Sequence, residues 1–290
     1  MAIDELLERY GVFYTDFVFK RLLAKEGNEE LLISFLNALL DGEETIQTIK
    51  YIPSEQLGYI NRSYMFNAYC ETDKGEGIIV EIQKAEQQFY INRSELYSSF
   101  FTLKQPRQYN WRRHLKSIYA IGILNFNFDD SDPRCFHHEI LRNLDNDEIR
   151  RSCIFLETPK FTKTVDELEN MFEKWLFAIR HLPDLLERPS NLSEAVFVRF
   201  FEQAEIAKFN RKERLEYEGS LKAYRDWYSI MKTAKEKSRA EGLAEGLAEG
   251  LAEGRAEGIR TTAANMKKKG LENGFIAEMT GLPIEEIEQL

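Results

Sequence analysis

The chain has 290 residues, a formal net charge of −10, 43% hydrophobic residues and 12% aromatic residues. This length and apolar content predict one large domain, or one domain with an appendage, and exclude wholesale disorder. The acidic charge argues against a protein covered in basic surface, although a local basic groove remains compatible with it.

The first half of the chain is predicted to alternate helices and strands. TDFVFKRLLAKEGNEELLISFLNALLDG predicts a helix, a break and a second helix that Gly42 ends. TIQTIKYI then alternates as a strand, SYMFNAYCETDKGEGIIVEIQKA predicts a hairpin, and AEQQFYINRSELYSSFFTLK has helical spacing. SIYAIGILNFNF and RSCIFLETPKF predict two further strands, so the order is α-β-β-β-α-β-β.

The second half is predicted to be helical, from residue 165 to about residue 231. Residues 240–258 repeat the unit AEGL, which predicts either a helix that pairs with a second chain or a flexible spacer. The remaining C-terminal residues predict two or three short helices. We therefore expect a domain over 1–235 (core about 10–160, helical extension about 165–235), a repeat segment over 236–260 and a small helical unit over 261–290.

The predicted hairpin gathers polar side chains on one face. Its loop, residues 72–76, suits a three-residue turn with Gly75 in the left-handed conformation, and this register places Asn67 opposite Glu81. Strand alternation then predicts a core face and a polar face, and the polar face carries Asn67, Tyr69, Glu71, Ile79, Glu81 and Gln83. Opposed Cβ atoms lie about 5 Å apart, so two side-chain oxygens there can share one Mg²⁺ or Mn²⁺ ion. The competing interpretation is that Glu81 and Gln83 are polar residues on the wet face of a half-exposed sheet.

Three smaller features complete the residue-level predictions. Residues 101–116 hold five cations, no acid and two interleaved aromatic residues. This composition suits either contact with DNA phosphates or a solvated loop and strand edge; the candidate contacts are Arg107, Arg112, Arg113 and Lys116. His137 and His138 lack a zinc-site spacing and are interpreted as a surface pair. The three cysteines are interpreted as buried free thiols.

Without an apolar run of membrane-helix length or a basic N-terminus, we expect a cytoplasmic protein with no membrane span.

Several of these stretches together resemble the Rpn family of recombination-promoting nucleases, within the PD-(D/E)XK nuclease superfamily. The resemblance rests on TDFVFKRLL, LLISFLNALL, NRSYMFNAYCETDKGEGIIVEIQKAEQQFYINRSELYSS and SIYAIGILNF. It implies a PD-(D/E)XK restriction-endonuclease-like α/β core (α-β-β-β-α-β, a mixed sheet flanked by helices), with a helical C-terminal half and a Gly-rich tail. It also implies metal-dependent cleavage of DNA.

The resemblance assigns roles to individual residues of this chain. The catalytic Asp of the family corresponds to Asn67, its Glu to Glu81, and its Gln to Gln83. An acid on the first helix, Asp16, is implied as a further ligand of Mg²⁺ or Mn²⁺. The implied DNA contacts are Lys20, Arg93 and Tyr97.

Asn67 departs from the family pattern, because its amide oxygen is neutral where the family has a carboxylate. The resemblance thus implies a nuclease that Asn67 inactivates, and a deliberate substitution is favoured over natural decay. The alternative is a naturally degenerate nuclease fold that binds DNA or a protein as a non-catalytic regulator. A third, weaker hypothesis is an oligomerisation scaffold, and a homo-oligomer, with a dimer favoured, is expected from the repeat.

Overall fold

The computed structural model describes residues 8–40, 45–52, 68–83, 116–127, 131–142 and 149–290, without the side chain of Arg150. The chain divides into two compact units, Met1–Arg225 and Asp226–Leu290. Each unit has a hydrophobic core of its own. None of the helices in the described ranges combines the length and the apolarity that a membrane span needs.

Two helices open the first unit, α1 (Asp16–Leu23) and α2 (Glu29–Leu39). Thr15 caps α1, because its hydroxyl oxygen accepts a hydrogen bond from the Val18 N–H at 3.3 Å. Gly27 lies in the break between the helices with a φ of 90°. The predicted helix, break and helix are confirmed, while Gly42 lies outside the described residues.

The described strands form one mixed sheet with the order β1-β2-β3-β4-β6-β5. Their bounds are β1 (Ile49–Tyr51), β2 (Ala68–Thr72), β3 (Gly77–Gln83), β4 (Ile118–Leu124), β5 (Phe136–Arg142) and β6 (Ile149–Glu157). β3, β4 and β6 run parallel, whereas β1–β2, β2–β3 and β5–β6 pair antiparallel. This sheet with its flanking helices confirms the predicted fold class, although β5 is absent from the predicted order.

The main core lies between one face of the sheet and the helices of the first unit. α1 and α2 share it with α3 (Met171–His181) and α4 (Ala195–Ala204). From β3, alternate residues enter this core, namely Ile78, Val80 and Ile82. A smaller apolar cluster covers part of the other face; its members are Ala120, Leu124, Cys153 and Phe155, with Phe126 packed against them.

The cysteines follow the sheet. Cys70 and Cys153 are buried free thiols as predicted, and burial raises the pKa of the Cys70 thiol to about 12. Cys135 is only half-buried, because it precedes β5 at the edge of the sheet, and the prediction of burial is wrong there.

The second unit contains most of the long helix α5 (Arg211–Lys268), followed by α6 (Asn273–Thr280) and α7 (Ile284–Gln289). α5 runs through the AEGL repeat without a break, so the helical interpretation of the repeat holds and the flexible spacer does not. The end of α5 packs with α6 and α7 around Ala263, Ile276 and Ile287. The predicted short C-terminal helices are confirmed.

Candidate functional site

The hairpin turn between β2 and β3 has the predicted conformation. Gly75 adopts a φ of 78°, which glycine reaches without steric cost. The Gly75 N–H donates to the Thr72 carbonyl at 2.9 Å, and the Thr72 N–H donates to the Glu76 carbonyl at 3.0 Å. The turn chemistry read from the sequence therefore fixes the register of the hairpin.

That register holds along the described part of β2. Glu71 pairs with Gly77, Cys70 with Ile78, Tyr69 with Ile79 and Ala68 with Val80, as predicted. The predicted pair of Asn67 with Glu81 lies outside the described residues, because Asn67 precedes them. The same holds for other predicted contacts with DNA, namely Arg93, Tyr97, Arg107, Arg112 and Arg113.

Glu81 and Gln83 lie side by side on the face of β3 that points away from the main core. Gln83 Nε2 donates to Glu81 Oε1 at 2.5 Å. Both side chains are buried, at 4% and 6% exposure. The wet, half-exposed face of the competing interpretation is therefore wrong for β3, where Ile79 is buried as well. Burying a carboxylate costs solvation free energy even when an amide donates a hydrogen bond to it, whereas a surface carboxylate keeps its water.

The parallel strands bring their carboxyl ends to one edge of the sheet. Gln83, Leu124 and Glu157 end β3, β4 and β6, and they pair with one another in this order. Ligands of open α/β sheets bind outside such carboxyl ends. Glu81 and Gln83 thus lie at the edge where a ligand site is expected.

Asp16 and Lys20 lie together on the first helix. Lys20 Nζ is 2.9 Å from Asp16 Oδ2, and both side chains are about half exposed, at 54% and 50%. Asp16 occupies the first turn of α1, where a negative charge is favourable. A buried hydrogen bond from Tyr14 to Thr158, which follows β6, holds the start of α1 at the carboxyl edge of the sheet.

Lys116 lies at the other end of β3. A Cβ atom at Gly75 would lie 3.8 Å from Lys116 Cγ, which places this lysine beside the hairpin turn. β3 has seven residues. Its two ends are thus about 20 Å apart. The structure therefore does not bring Lys116 to Gln83.

A second charged group at this edge was not predicted from the sequence. Glu157 is fully buried, with Oε2 at 2.7 Å from Lys160 Nζ and Oε1 at 2.6 Å from His137 Nε2. The interpretation of His137 and His138 as a surface pair is wrong, because both lie half-buried in β5 and His138 Nε2 is 2.6 Å from Ser152 Oγ on the opposite face. The acid that ends the apolar run CIFLE, three residues before a lysine, is the signal that could have revealed this group.

The donor set fits a hard divalent ion only in part. Within the described ranges, no three His, Cys, Asp or Glu side chains come together as metal ligands. Glu81 contributes a buried carboxylate and Gln83 an amide, and both are oxygen-bearing groups of the kind that Mg²⁺ and Mn²⁺ prefer.

Comparison with known proteins places these features in a family. A family model described as PD-(D/E)XK nuclease family transposase matches residues 13–234. No match was found among curated proteins or among solved structures. The matched range includes the hairpin with Glu81 and Gln83, the whole sheet and the first part of α5. By this match over most of its length, the chain belongs to the PD-(D/E)XK nuclease family transposases.

Proposed function

We propose that the chain is a divalent-metal-dependent DNA endonuclease of the Rpn type, inactivated by Asn67. The family implies a hydrolytic nuclease with DNA as its substrate, and PD-(D/E)XK nucleases generally use divalent metals. The observation that carries the proposal is the buried Glu81 carboxylate beside the Gln83 amide at the carboxyl edge of β3.

Glu81, Asn67 and Asp16 are the proposed ligands of Mg²⁺ or Mn²⁺. The chemistry that such an ion supplies when bound is activation of a water molecule and neutralisation of charge on the phosphate. Gln83 donates to Glu81 and so orients its carboxylate. A neutral amide cannot accept a proton at pH 7, so Gln83 serves in orientation and not as a general base.

Asn67 explains the proposed inactivity through charge. In the predicted register it faces Glu81, and an Asn there leaves Glu81 as the single carboxylate of the hairpin pair. Mg²⁺ gives up its water reluctantly, so a site that lacks one of its carboxylates holds it poorly.

DNA contact is proposed for Lys20, Arg93, Tyr97, Arg107, Arg112, Arg113 and Lys116. Lys116 lies at the turn end of β3, about 20 Å from Gln83, a distance that corresponds to about six base pairs along a duplex. Lys116 is therefore proposed to contact the phosphate backbone at a distance from the scissile bond.

The test is plasmid nicking by the Asn67→Asp variant with Mg²⁺ or Mn²⁺, with EDTA as the control. We expect nicking by the variant, and a rate at least about a hundredfold lower for the chain with Asn67, the scale expected when a key electrostatic group is missing. If Asn67→Asp leaves the plasmid intact with both metals, the nuclease proposal fails. The degenerate, non-catalytic binding protein then takes its place, and DNA affinity at low salt becomes its test.

A further inference from the structure

A buried chain of hydrogen bonds joins the start of α1 to the end of β4. The Tyr14 hydroxyl is 2.5 Å from Thr158 Oγ1, and Thr158 Oγ1 donates to the Leu124 carbonyl at 2.8 Å. All three residues are buried, with Tyr14 the most exposed at 4%. Arg180 of α3 donates to the Thr158 carbonyl at 2.5 Å and so holds the turn that carries Thr158.

Counting protons shows which group donates and which accepts in each of these hydrogen bonds. A threonine hydroxyl has one proton, and Thr158 donates it to Leu124. In the contact with Tyr14, the phenol must therefore be the donor. Burial raises the pKa of the Tyr14 phenol, so the hydroxyl keeps the proton that it donates.

Both ends of this chain of hydrogen bonds lie next to proposed site residues. Leu124 pairs with Gln83 across the parallel strands, and the Asn125 N–H donates to the Gln83 carbonyl at 2.9 Å. Tyr14 directly precedes the cap residue Thr15, and Asp16 follows as the first residue of α1. The Tyr14 hydroxyl thus ties the segment that carries Asp16 to the strand beside Glu81 and Gln83.

We propose that Tyr14 is a positioning residue, which acts through Thr158 to set the distance of Asp16 from the Glu81–Gln83 pair. The inference rests on the proposed function, since it assigns Tyr14 a part in metal binding by Asp16. Tyr14 itself touches no ligand in this scheme.

The chain provides a matched control at the opposite end of α1. The Tyr51 hydroxyl donates to the carbonyl of Leu23, the last residue of α1, at 3.0 Å. Tyr14 and Tyr51 thus each tie one end of the same helix with a largely buried phenol. If the role of Tyr14 were structural only, Tyr14→Phe and Tyr51→Phe would change the melting temperature and the Mn²⁺ affinity to the same extent.

The experiment measures Mn²⁺ binding by calorimetry on the full-length Asn67→Asp protein, with a melting temperature for every variant. We expect both Tyr→Phe changes to lower the melting temperature. Only Tyr14→Phe should weaken Mn²⁺ binding, by roughly tenfold, as when an outer partner of a metal ligand is removed. Thr158→Val should weaken Mn²⁺ binding to a similar extent. Thr158→Ser keeps the hydroxyl and should bind Mn²⁺ as tightly as the Asn67→Asp protein does.

A double-mutant cycle tests whether Tyr14 acts through Asp16. In an Asp16→Ala background, Tyr14→Phe should cause no further loss of Mn²⁺ affinity. A full additional loss in that background, or equal losses for Tyr14→Phe and Tyr51→Phe, would overturn the inference while the nuclease proposal stands. An Asn67→Asp protein that binds no Mn²⁺ at all would remove the proposed metal site and the inference together.

Discussion

Glu81 is an acidic residue that the fold places inside a sheet, on the same face as the buried Ile79. An apolar residue at that position would avoid a cost of several kcal/mol, because taking a carboxylate out of water is unfavourable even when it is partnered. Gln83 compensates part of this cost through its amide. The burial of Glu81 therefore favours a site over a polar surface, which the residue pattern alone does not decide.

The first prediction separates the roles of these two side chains. In the Asn67→Asp protein, Glu81→Ala should abolish nicking, since it removes a proposed metal ligand, whereas Gln83→Ala should reduce the rate by a smaller factor. Glu71→Ala is the control, because Glu71 is an exposed acid on the neighbouring strand β2. Equal losses for Glu81→Ala and Glu71→Ala in a nicking assay would contradict the assignment.

A second residue-scale prediction concerns Glu213, which links α5 to α1. Arg21 Nη1 is 2.5 Å from Glu213 Oε1, and the Asn210 N–H donates to Oε2 at 3.0 Å. Burial acts to raise the pKa of Glu213, but the Asn210 N–H and the Arg21 guanidinium outweigh it, and the pKa lies below 4.5. At pH 7 we expect Glu213→Gln to lower the free energy of unfolding by about 1–2 kcal/mol.

The sign of the pH dependence follows from this lowered pKa. Below pH 4.5 the unfolded state takes up the proton while the folded state keeps Glu213 ionised, so the contribution of Glu213 falls as the pH falls through the folded pKa. Urea unfolding should therefore show a constant deficit for Glu213→Gln above about pH 5 that shrinks in acid. Glu216→Gln, at an exposed position one turn away, should change little at any pH. A deficit that grows in acid would contradict this account.

At the scale of elements, the sequence predicts best where local chemistry decides the conformation. The hairpin follows from Gly75 and alternating apolar residues, so its register could be predicted residue by residue. β5 could not, because FHHEILR lacks regular alternation and its residues are half-buried or exposed at the sheet edge. The Glu157 group was missed for the same reason, since its partner His137 comes from β5. The burial of Glu81 depends on the parallel neighbours that long connections bring to β3, which local patterns do not encode.

The turn of the hairpin allows a direct test of this local control. Gly75→Ala should lower the free energy of unfolding by about 1–2 kcal/mol, because alanine resists a φ of 78°. Space is not the cause, since the nearest atoms, on Lys116, would lie 3.8 Å from the new Cβ. Gly75→Asn should cost less, because asparagine tolerates this conformation. Gly219→Ala, in the exposed part of helix α5, should stabilise instead, by up to about 1 kcal/mol. Chemical denaturation that shows equal signs for the two alanine variants would contradict the argument.

At the scale of the whole molecule, the leucines of the AEGL repeat belong to neither of the two hydrophobic cores described above. Alanine, glutamate and leucine are strong helix formers, which accounts for the unbroken helix α5 despite a glycine in every turn. Leu243, Leu247 and Leu251 are nevertheless 66–67% exposed. Among the described residues, a Cβ atom added at any of the repeat glycines would meet nothing within 4 Å. A helix of this kind is marginal on its own, so its apolar stripe calls for a partner.

The last prediction is that the repeat helix joins two copies of the chain. Each leucine buried in such a contact contributes roughly 1.5–3 kcal/mol, and the glycines let two helices approach closely. Light scattering should therefore give a dimer mass for the intact chain and a monomer mass for the triple change of Leu243, Leu247 and Leu251 to Glu. Leu215→Glu is the matched control, because Leu215 is 63% exposed on the same helix but lies outside the repeat, and it should leave the mass unchanged. Deleting 240–290 should also lower the mass, while the melting temperature of the first unit stays nearly constant, since that unit has its own core. A mass that is the same for the intact chain, the triple variant and the deletion would refute self-association through the repeat.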